Sequence, residues 1–314
     1  LWDAICFFDH PERPGMKFNA LRDFLAVAER GSLRAAARQL GSAQPALSHS
    51  IKELEKELGV VLFERRSTGV VLTDMGAAFH KRVACAMHDL RRATEELDQL
   101  RGEVHGNLAV AMSSVAHIAL LPFALGAFRA RYPKVQIDIV DAVYPGSEPG
   151  LLDGSLDLYI GPAPADVVSA LQVEKLFDNT RTIVSRKGHP LAQARSLREL
   201  VDAEWITTSI THNAEEELGP LFAQNGLPAP RLVMKAHSAL TFMVALANSD
   251  LLMMLPVQWI QSESLAPLLA RIDVREPLPA PPVCLVRRAG LPPTPAAEYF
   301  CDMVRRAVQH MRAP

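Results

Sequence analysis

The sequence predicts a mixed α+β and α/β chain in three parts: an N-terminal winged helix-turn-helix, a long coiled-coil linker helix, and a C-terminal domain of two α/β lobes. Three observations carry this. Three short helical patterns precede a strand, turn, strand signature that ends before Thr73. One heptad pattern then runs unbroken to about Arg101, and strand and helix patterns alternate from Asn107 onward.

A chain of 314 residues supplies two or three domains with buried cores. Its hydrophobic fraction of 49% beside 22% charged residues is that of a soluble globular protein. No stretch approaches the roughly 20 apolar residues that span a bilayer, which gives a cytosolic reading. Cys6, Cys85, Cys284 and Cys301 lie far apart without C-x-x-C spacing, against a disulfide framework or a zinc site. They read as small core hydrophobes. The net charge of -2 is uneven: residues 16–72 hold nine Lys and Arg against six Asp and Glu, whereas residues 103–314 hold eighteen against twenty-one. Only the N-terminal part invites a polyanion. Residues 1–15, LWDAICFFDHPERPG, lack the basic start and continuous apolar core of a signal peptide. They read as an upstream extension before a natural start at Met16, non-native or disordered.

The first helix is predicted by Phe18, Leu21, Phe24, Leu25 and Ala28, and Gly31 stops it. Ser32 caps a second helix through Leu40, where Ala35, Ala36 and Ala37 allow close backbone approach before Gly41. A third has Pro45 in its first turn and buries Leu47, Ile51, Leu54 and Leu58. VVLFERR and VVLT around Ser67-Thr68-Gly69 then read as the wing, closing a domain over 16–73.

The linker helix, 74–102, carries Phe79, Val83, Ala86, Leu90, Ala93, Leu97 and Leu100 at alternating spacings of four and three, a coiled-coil seam. A small domain cannot bury that whole stripe, so pairing with a second copy is expected, through Phe79, Val83, Ala86, Leu90 and Leu97; packing on the chain's own C-terminal domain is the alternative.

From Asn107, NLAVAMS reads as a strand, SVAHIALLPFALGAFRARYP as a helix, VQIDIVDA as a strand, PGLLDGS as a short helix and LDLYIG as a strand, an order that implies parallel pairing. TRTIVSRKGHPLA and EWITTS open a second unit, continued by RLVMKAHS, the helix TFMVALANS and LLMMLP. PPVCLVRR and a helix from Thr294 to about Met311 return the chain to the first lobe. The domain is thus 107–314, with one lobe over 107–180 and 283–314, the other over 181–282, and crossovers near Asn179 to Arg181 and Ala280 to Val283.

These residues resemble the LysR-type transcriptional regulators. The carriers are F-L-A-V-A-E-R-G-S-L-R-A-A-A-R-Q-L, Q-P-A-L-S-H-S-I-K-E-L-E-K-E-L-G-V-V-L-F-E-R, and L-T-D-M-G-A-A-F at the opening of the linker helix. D-A-V-Y-P-G-S-E-P-G-L-L-D-G-S-L-D-L and R-R-A-G-L-P-P-T-P-A-A look similar to the regulators of toluenesulfonate degradation within that family. The resemblance implies a type 2 periplasmic-binding-protein-like effector domain and a homodimer or homotetramer on double-stranded DNA. It also implies an interrupted promoter palindrome, a small-molecule inducer between the lobes, contact with RNA polymerase, and no cofactor.

A recognition helix buries one face and presents its N-terminal half to base edges, which accounts for Gln44, Pro45, Ser48, His49 and Lys52. Gln44 suits adenine, Pro45 a thymine methyl, and Ser48 and His49 base edges or phosphates, with Ser32, Arg34, Arg65 and Arg66 on the backbone. The plain alternative is a solvated polar face. Two positions depart from the family pattern: Ala43 replaces the usual Ser or Thr cap before the Gln, and His49 stands where Arg is common.

In two-lobed α/β domains ligands sit at the carboxyl ends of strands. Ser113 and Ser114 follow the first strand of this domain, Tyr144 the second, and Thr207, Thr208 and Ser209 follow EWI. His237 and Ser238 follow RLVMKA. Such hydroxyls suit an aromatic carboxylate or sulfonate, walled by Pro145, Phe242 and Met243; the plain alternative is helix capping. Enzyme signatures are missing: no G-x-S-x-G, P-loop, G-x-G-x-x-G or H-E-x-x-H occurs, and His80, His88, His105 and His117 lack metal-ligand spacing. A redox sensor would need paired cysteines in the sensing lobe. The competing class is a cytosolic small-molecule-binding dimer without sequence-specific DNA recognition.

Overall fold

The computed structural model describes residues 16–67, 69–102, 105–164, 166–208, 214–262 and 266–312. The 1–15 extension with Cys6, and Ser209 among the expected site residues, lie outside the described residues. The chain divides into two compact units that meet between Arg92 and Ala93.

In the first unit, α1 (Phe18–Arg30) stops at Gly31, whose left-handed φ of 58° lets its N–H reach the Val27 carbonyl. The Ser32 hydroxyl caps α2 (Leu33–Gln39) by accepting from the Ala35 N–H. α3 (Gln44–Leu58) buries Leu47, Ile51 and Leu54 against Phe24, Val27, Ala36 and Ala37. β1 (Phe63–Arg66) and β2 (Gly69–Leu72) pair antiparallel. The wing is fastened at both ends. Glu55 accepts from the Leu62 and Phe63 N–H groups at 2.7 and 3.2 Å, and the Val70 N–H reaches the Gly31 carbonyl at 2.8 Å. A Cβ on Gly69 would lie 2.4 Å from that carbonyl oxygen, so only glycine fits.

α4 (Asp74–Leu100) begins where Thr73 accepts from the Gly76 N–H and donates to the Val61 carbonyl. The expected seam residues fall into two groups. Phe79 and Val83 pack into the core of the first unit, Phe79 with its ring 5.2 Å from that of Phe24, because the start of α4 is drawn onto Leu62. Ala86, Leu90, Leu97 and Leu100 remain exposed, the three leucines by 53 to 69%.

The second unit opens with β3 (His105–Met112), α5 (Ser114–Ala119), α6 (Leu121–Arg131), β4 (Lys134–Asp141), α7 (Glu148–Asp153), β5 (Leu158–Pro162) and β6 (Leu171–Phe177). The single helix expected over this first crossover is two, broken at Leu120, since Pro122 has no N–H to donate and its ring crowds the preceding turn. There follow β7 (Arg181–Arg186), β8 (Glu204–Thr208), α8 (Ala214–Gln224), β9 (Arg231–Ala236), α9 (Ala239–Ala247), β10 (Met253–Pro256), α10 (Gln258–Gln261) and β11 (Leu269–Ile272). β12 (Val283–Arg288) and α11 (Pro295–Arg312) end the chain.

One lobe is a five-stranded sheet in the order β4-β3-β5-β12-β6, parallel at β3 with β4 and β5, antiparallel where β12 lies between β5 and β6. The other joins a three-stranded antiparallel sheet, β10-β7-β11, to the parallel pair β8-β9 through a bridge between Trp205 and Leu252. Pairing is therefore mixed rather than purely parallel. α11 covers the first sheet with Phe300, Val304 and Ala307, Phe300 meeting Phe128 edge-on at 5.5 Å. Its first turn is capped twice, by Thr294 on the Ala297 N–H and by buried Gln99 of α4 on the Ala296 N–H at 2.9 Å.

Arg305 of α11 grips Glu174 of β6 through two hydrogen bonds of 2.9 Å and also reaches Glu298 and Asp302. Hydrogen bonding to that guanidinium holds the Glu174 carboxyl below the usual carboxylate range against its partial burial. The contribution is present above the carboxylate's ordinary pKa and is lost as pH falls through the depressed one. Because both groups are partly solvated, Glu174→Gln should cost about 0.5–1 kcal/mol at pH 7. The melting temperature should fall by about 1–4 °C, and melts repeated toward acid should show that difference shrinking.

Candidate functional site

The polar face of the first unit follows from α3. With Leu47, Ile51 and Leu54 turned inward, Gln44, Pro45, His49 and Lys52 are exposed and Ser48 is half-buried. Gln44, Ser48 and Lys52 repeat every four residues, as do Pro45 and His49, so the five form one stripe. Ala43 at the cap position makes no side-chain hydrogen bond. Arg34, Arg65 and Arg66 are exposed on α2 and β1. The contact of Arg66 with Glu64, 3.6 Å between exposed groups, is too weak to withhold it from a phosphate. Ser32 is half-buried and already engaged as the cap of α2.

In the second unit, Ser113 ends β3 with its N–H on the Ile160 carbonyl, and its hydroxyl is buried without a hydrogen-bond partner. Ser114 is half-buried beside it. Two residues that sequence reasoning missed shape this wall. Tyr159 is fully buried; its hydroxyl donates to the Pro162 carbonyl at 2.8 Å and accepts from the Tyr144 N–H at 3.1 Å. Burial pushes that phenol far above its ordinary pKa. A Cβ on Gly161 would lie 2.4 Å from the Tyr159 hydroxyl and 2.7 Å from the Ser113 hydroxyl, so glycine here lets the three groups meet. Only the end of the L-Y-I-G strand hinted at it. Tyr144 itself hydrogen-bonds Glu148, and burial together with that carboxylate raises its pKa to about 12.

The other lobe places Thr207 and Thr208 at the end of β8, with Thr208 paired to Ala236, so His237 follows at the same end of neighbouring β9. Thr207 is buried, Thr208 half-buried and His237 exposed. Ser238 is the cap of α9, accepting from the Thr241 N–H and bonding the Thr241 hydroxyl. Phe242 and Met243 do not form an open wall: Phe242 is buried edge-on against Trp259 at 5.0 Å, and Met243 packs on the same core. Where the lobes join, Asn179 is buried with neither amide atom hydrogen-bonded, and the Val257 N–H before α10 reaches the Thr180 carbonyl. Nothing in the sequence around Asn179 marked its amide as buried.

Cys284 and Cys301 are both buried in the first lobe, and burial raises both thiols, that of Cys301 to about 12. A cavity of about 300 Å³ lies against Arg181 and Pro279 and shares no residue with the strand-end cluster.

Residues 101–309 match the LysR substrate binding domain, and residues 18–77 match the bacterial regulatory helix-turn-helix protein, lysR family. The chain is 31% identical over 298 residues to the SDS degradation transcriptional activation protein of a Pseudomonas species, covering 90% of this chain and 94% of that one. It is 27% identical over 234 residues to the HTH-type transcriptional regulator TdcA of Escherichia coli K12, covering 74% and 75%. Its fold is similar to that of full-length CbnR complexed with its target DNA, with a TM-score of 0.68 at 23% identity over 93% of this chain and 100% of that one.

The Ser113 wall separates stability from binding. Gly161→Ala should overpack it and cost about 1–3 kcal/mol in a thermal or denaturant melt. Ser113→Ala, which removes a buried hydroxyl with no partner, should stay within about 0.5 kcal/mol of the parent; a larger loss would make that hydroxyl structural.

Proposed function

Because the chain belongs to the lysR family of bacterial regulatory helix-turn-helix proteins, which are DNA-binding transcriptional regulators with an effector-binding domain and not enzymes, we propose the following specific activity. It binds an interrupted palindrome upstream of a promoter as a homodimer or homotetramer, and a small anion held at the strand ends of the second unit alters transcription through RNA polymerase. The observation that carries the DNA half is the polar stripe of α3, with Gln44, Pro45, His49 and Lys52 exposed and Ser48 half-buried, together with exposed Arg34, Arg65 and Arg66. Assembly is supported by the exposed Leu90, Leu97 and Leu100. Exposed apolar residues of the second unit also support it: Phe123 of α6, Val140 of β4, and Leu240 and Val244 of α9.

The effector is an aromatic carboxylate or sulfonate, contacting Ser113, Ser114, Tyr144, Thr207, Thr208 and His237. Ser113 supports this most directly, a buried hydroxyl that no group among the described residues engages. The likeness of two stretches to regulators of toluenesulfonate degradation points the same way. The 31% identical relative, whose name concerns SDS degradation, supports an anionic head group and not the aromatic body. Among the described residues no helix is long and apolar enough to cross a membrane. Uncapped Ala43 favours the second reading, an effector-binding dimer that no longer reads sequence.

Fluorescence polarisation with the gene's own upstream DNA at two salt concentrations, with and without a panel of aromatic sulfonates and carboxylates, decides between them. Tight, competitor-resistant binding that weakens with salt and shifts with one ligand is expected. Affinity no better than for random DNA would leave only the second reading. His49→Arg should change base preference at one operator position by about 1–3 kcal/mol, measured by selection from a randomised site; an unchanged preference would remove His49 from the groove.

A further inference from the structure

The last two turns of the linker helix carry two unlike faces. Leu97 and Leu100 are exposed by 56 and 69%. Glu95 and Gln99, four residues apart on the opposite side, lie against the start of β3, where a Cβ on Gly106 would come 3.2 Å from the Gln99 amide nitrogen and 3.5 Å from the Glu95 carboxyl carbon. That second face is held by the chain itself. The Gln99 Oε1, on a buried side chain, accepts from the Ala296 N–H at 2.9 Å, 197 positions further along the chain.

The first turn of α11 depends on that acceptor. Pro295 has no N–H, the Ala297 N–H goes to the Thr294 hydroxyl, and the N–H of buried Ala296 goes to Gln99. Withdrawing the Gln99 amide leaves a buried donor unpaired, so the end of α4 is held to the helix that closes the sheet. From the same point β3 runs between β4 and β5 to Ser113. The end of the linker helix and the wall at Ser113 thus share one framework.

We propose that Gln99 is a positioning residue: it fixes the end of the linker helix to the effector-binding domain and thereby sets the separation of the DNA half-sites that the assembly accepts. This rests on the reading of a homo-oligomer bound to an interrupted palindrome. Two sets of exposed apolar residues serve assembly on that reading, Leu97 and Leu100 on α4 and those of α6, β4 and α9, and Gln99 ties the element that carries the first set to the domain that carries the second. With the joint fixed, contacts through both sets close in one geometry and present the recognition helices at one spacing. With it loose, the same contacts accept several.

The test uses the full chain and its upstream DNA, with the half-site separation changed by small insertions. The parent should prefer the native separation by at least about tenfold. Gln99→Met keeps the length of the side chain and loses the acceptor; it should cut that preference below about threefold and leave affinity for a single half-site unchanged. Its melting midpoint should fall by about 2–10 °C. Gln99→Glu keeps an acceptor at the N-terminus of α11 and should restore the preference. Should Gln99→Met not fold, Gln99→Asn, one methylene too short to reach Ala296, takes its place. A lower melting midpoint with the spacing preference intact makes Gln99 a structural cap and overturns the proposal. So does a preference that Gln99→Glu does not restore, or a parent indifferent to separation. If the parent binds this DNA no better than random DNA, the palindrome reading falls, and hydrogen exchange without DNA decides the joint. Residues 94–101 should then exchange at least about tenfold faster in Gln99→Met than in the parent or Gln99→Glu, and equal rates overturn it.

Discussion

The antiparallel insertion of β12 between β5 and β6 is the constraint from which the second unit follows. A central strand must satisfy its N–H and C=O groups on both sides, and Val283 to Val286 are nearly fully buried, so the chain has to return from the second lobe to complete the first. That return makes the second lobe an insertion tethered by two segments, which is why Thr180 and Pro279 come to lie together. α11 follows from the same return: it covers the completed sheet, and its first turn takes a cap from Gln99 at the end of the linker helix. The end of α4 is thereby fastened to the helix that closes the sheet.

The linker helix carries one apolar stripe with two destinations. Phe79 and Val83 belong to the first unit's core because Thr73 and Gly76 hold the helix start against Val61 and Leu62. Past Met87 none of its described apolar residues joins that core, and Leu90, Leu97 and Leu100 are exposed. A regular heptad therefore divides where tertiary packing stops, and periodicity alone does not mark that point.

What the sequence revealed and what it hid differ by the range of the interaction involved. Gly31, Ser32 and the wing turn declare themselves because caps and turns are local, and β3, β4 and β5 are legible as apolar alternations between helices. β6 and β11 were not, being strands whose ladder partners lie far along the chain. Leu285, for example, aligns with Glu174 across more than a hundred intervening positions. The site shows the same division. Strand-end hydroxyls are readable as positions, but whether Ser238 is consumed as a cap or Phe242 is buried by Trp259 depends on neighbours that only the fold supplies. Gly161 and Tyr159 are the sharpest case, since their role exists only where Ser113 and Tyr144 converge.

The chemistry of that wall bears on what it can discriminate. Ser113 and Thr207 are neutral hydroxyls, and the Tyr159 phenol is held protonated by burial while its hydrogen is spent on the Pro162 carbonyl. Neutral hydrogen bonds contribute modestly, on the order of 1 kcal/mol each, so affinity built from them is moderate and is set by how many are satisfied at once. Carboxylate and sulfonate then differ through the number and direction of their oxygens rather than through charge. A ligand that satisfies hydroxyls from both lobes favours the closed arrangement by the difference between bonding two walls and bonding one, and only such a difference shifts a conformational equilibrium. On the proposed reading, hydroxyls suit this chain better than a buried cation would: a fixed charge on one wall would hold an anion in the open and closed forms alike, and tight binding without that difference would regulate nothing.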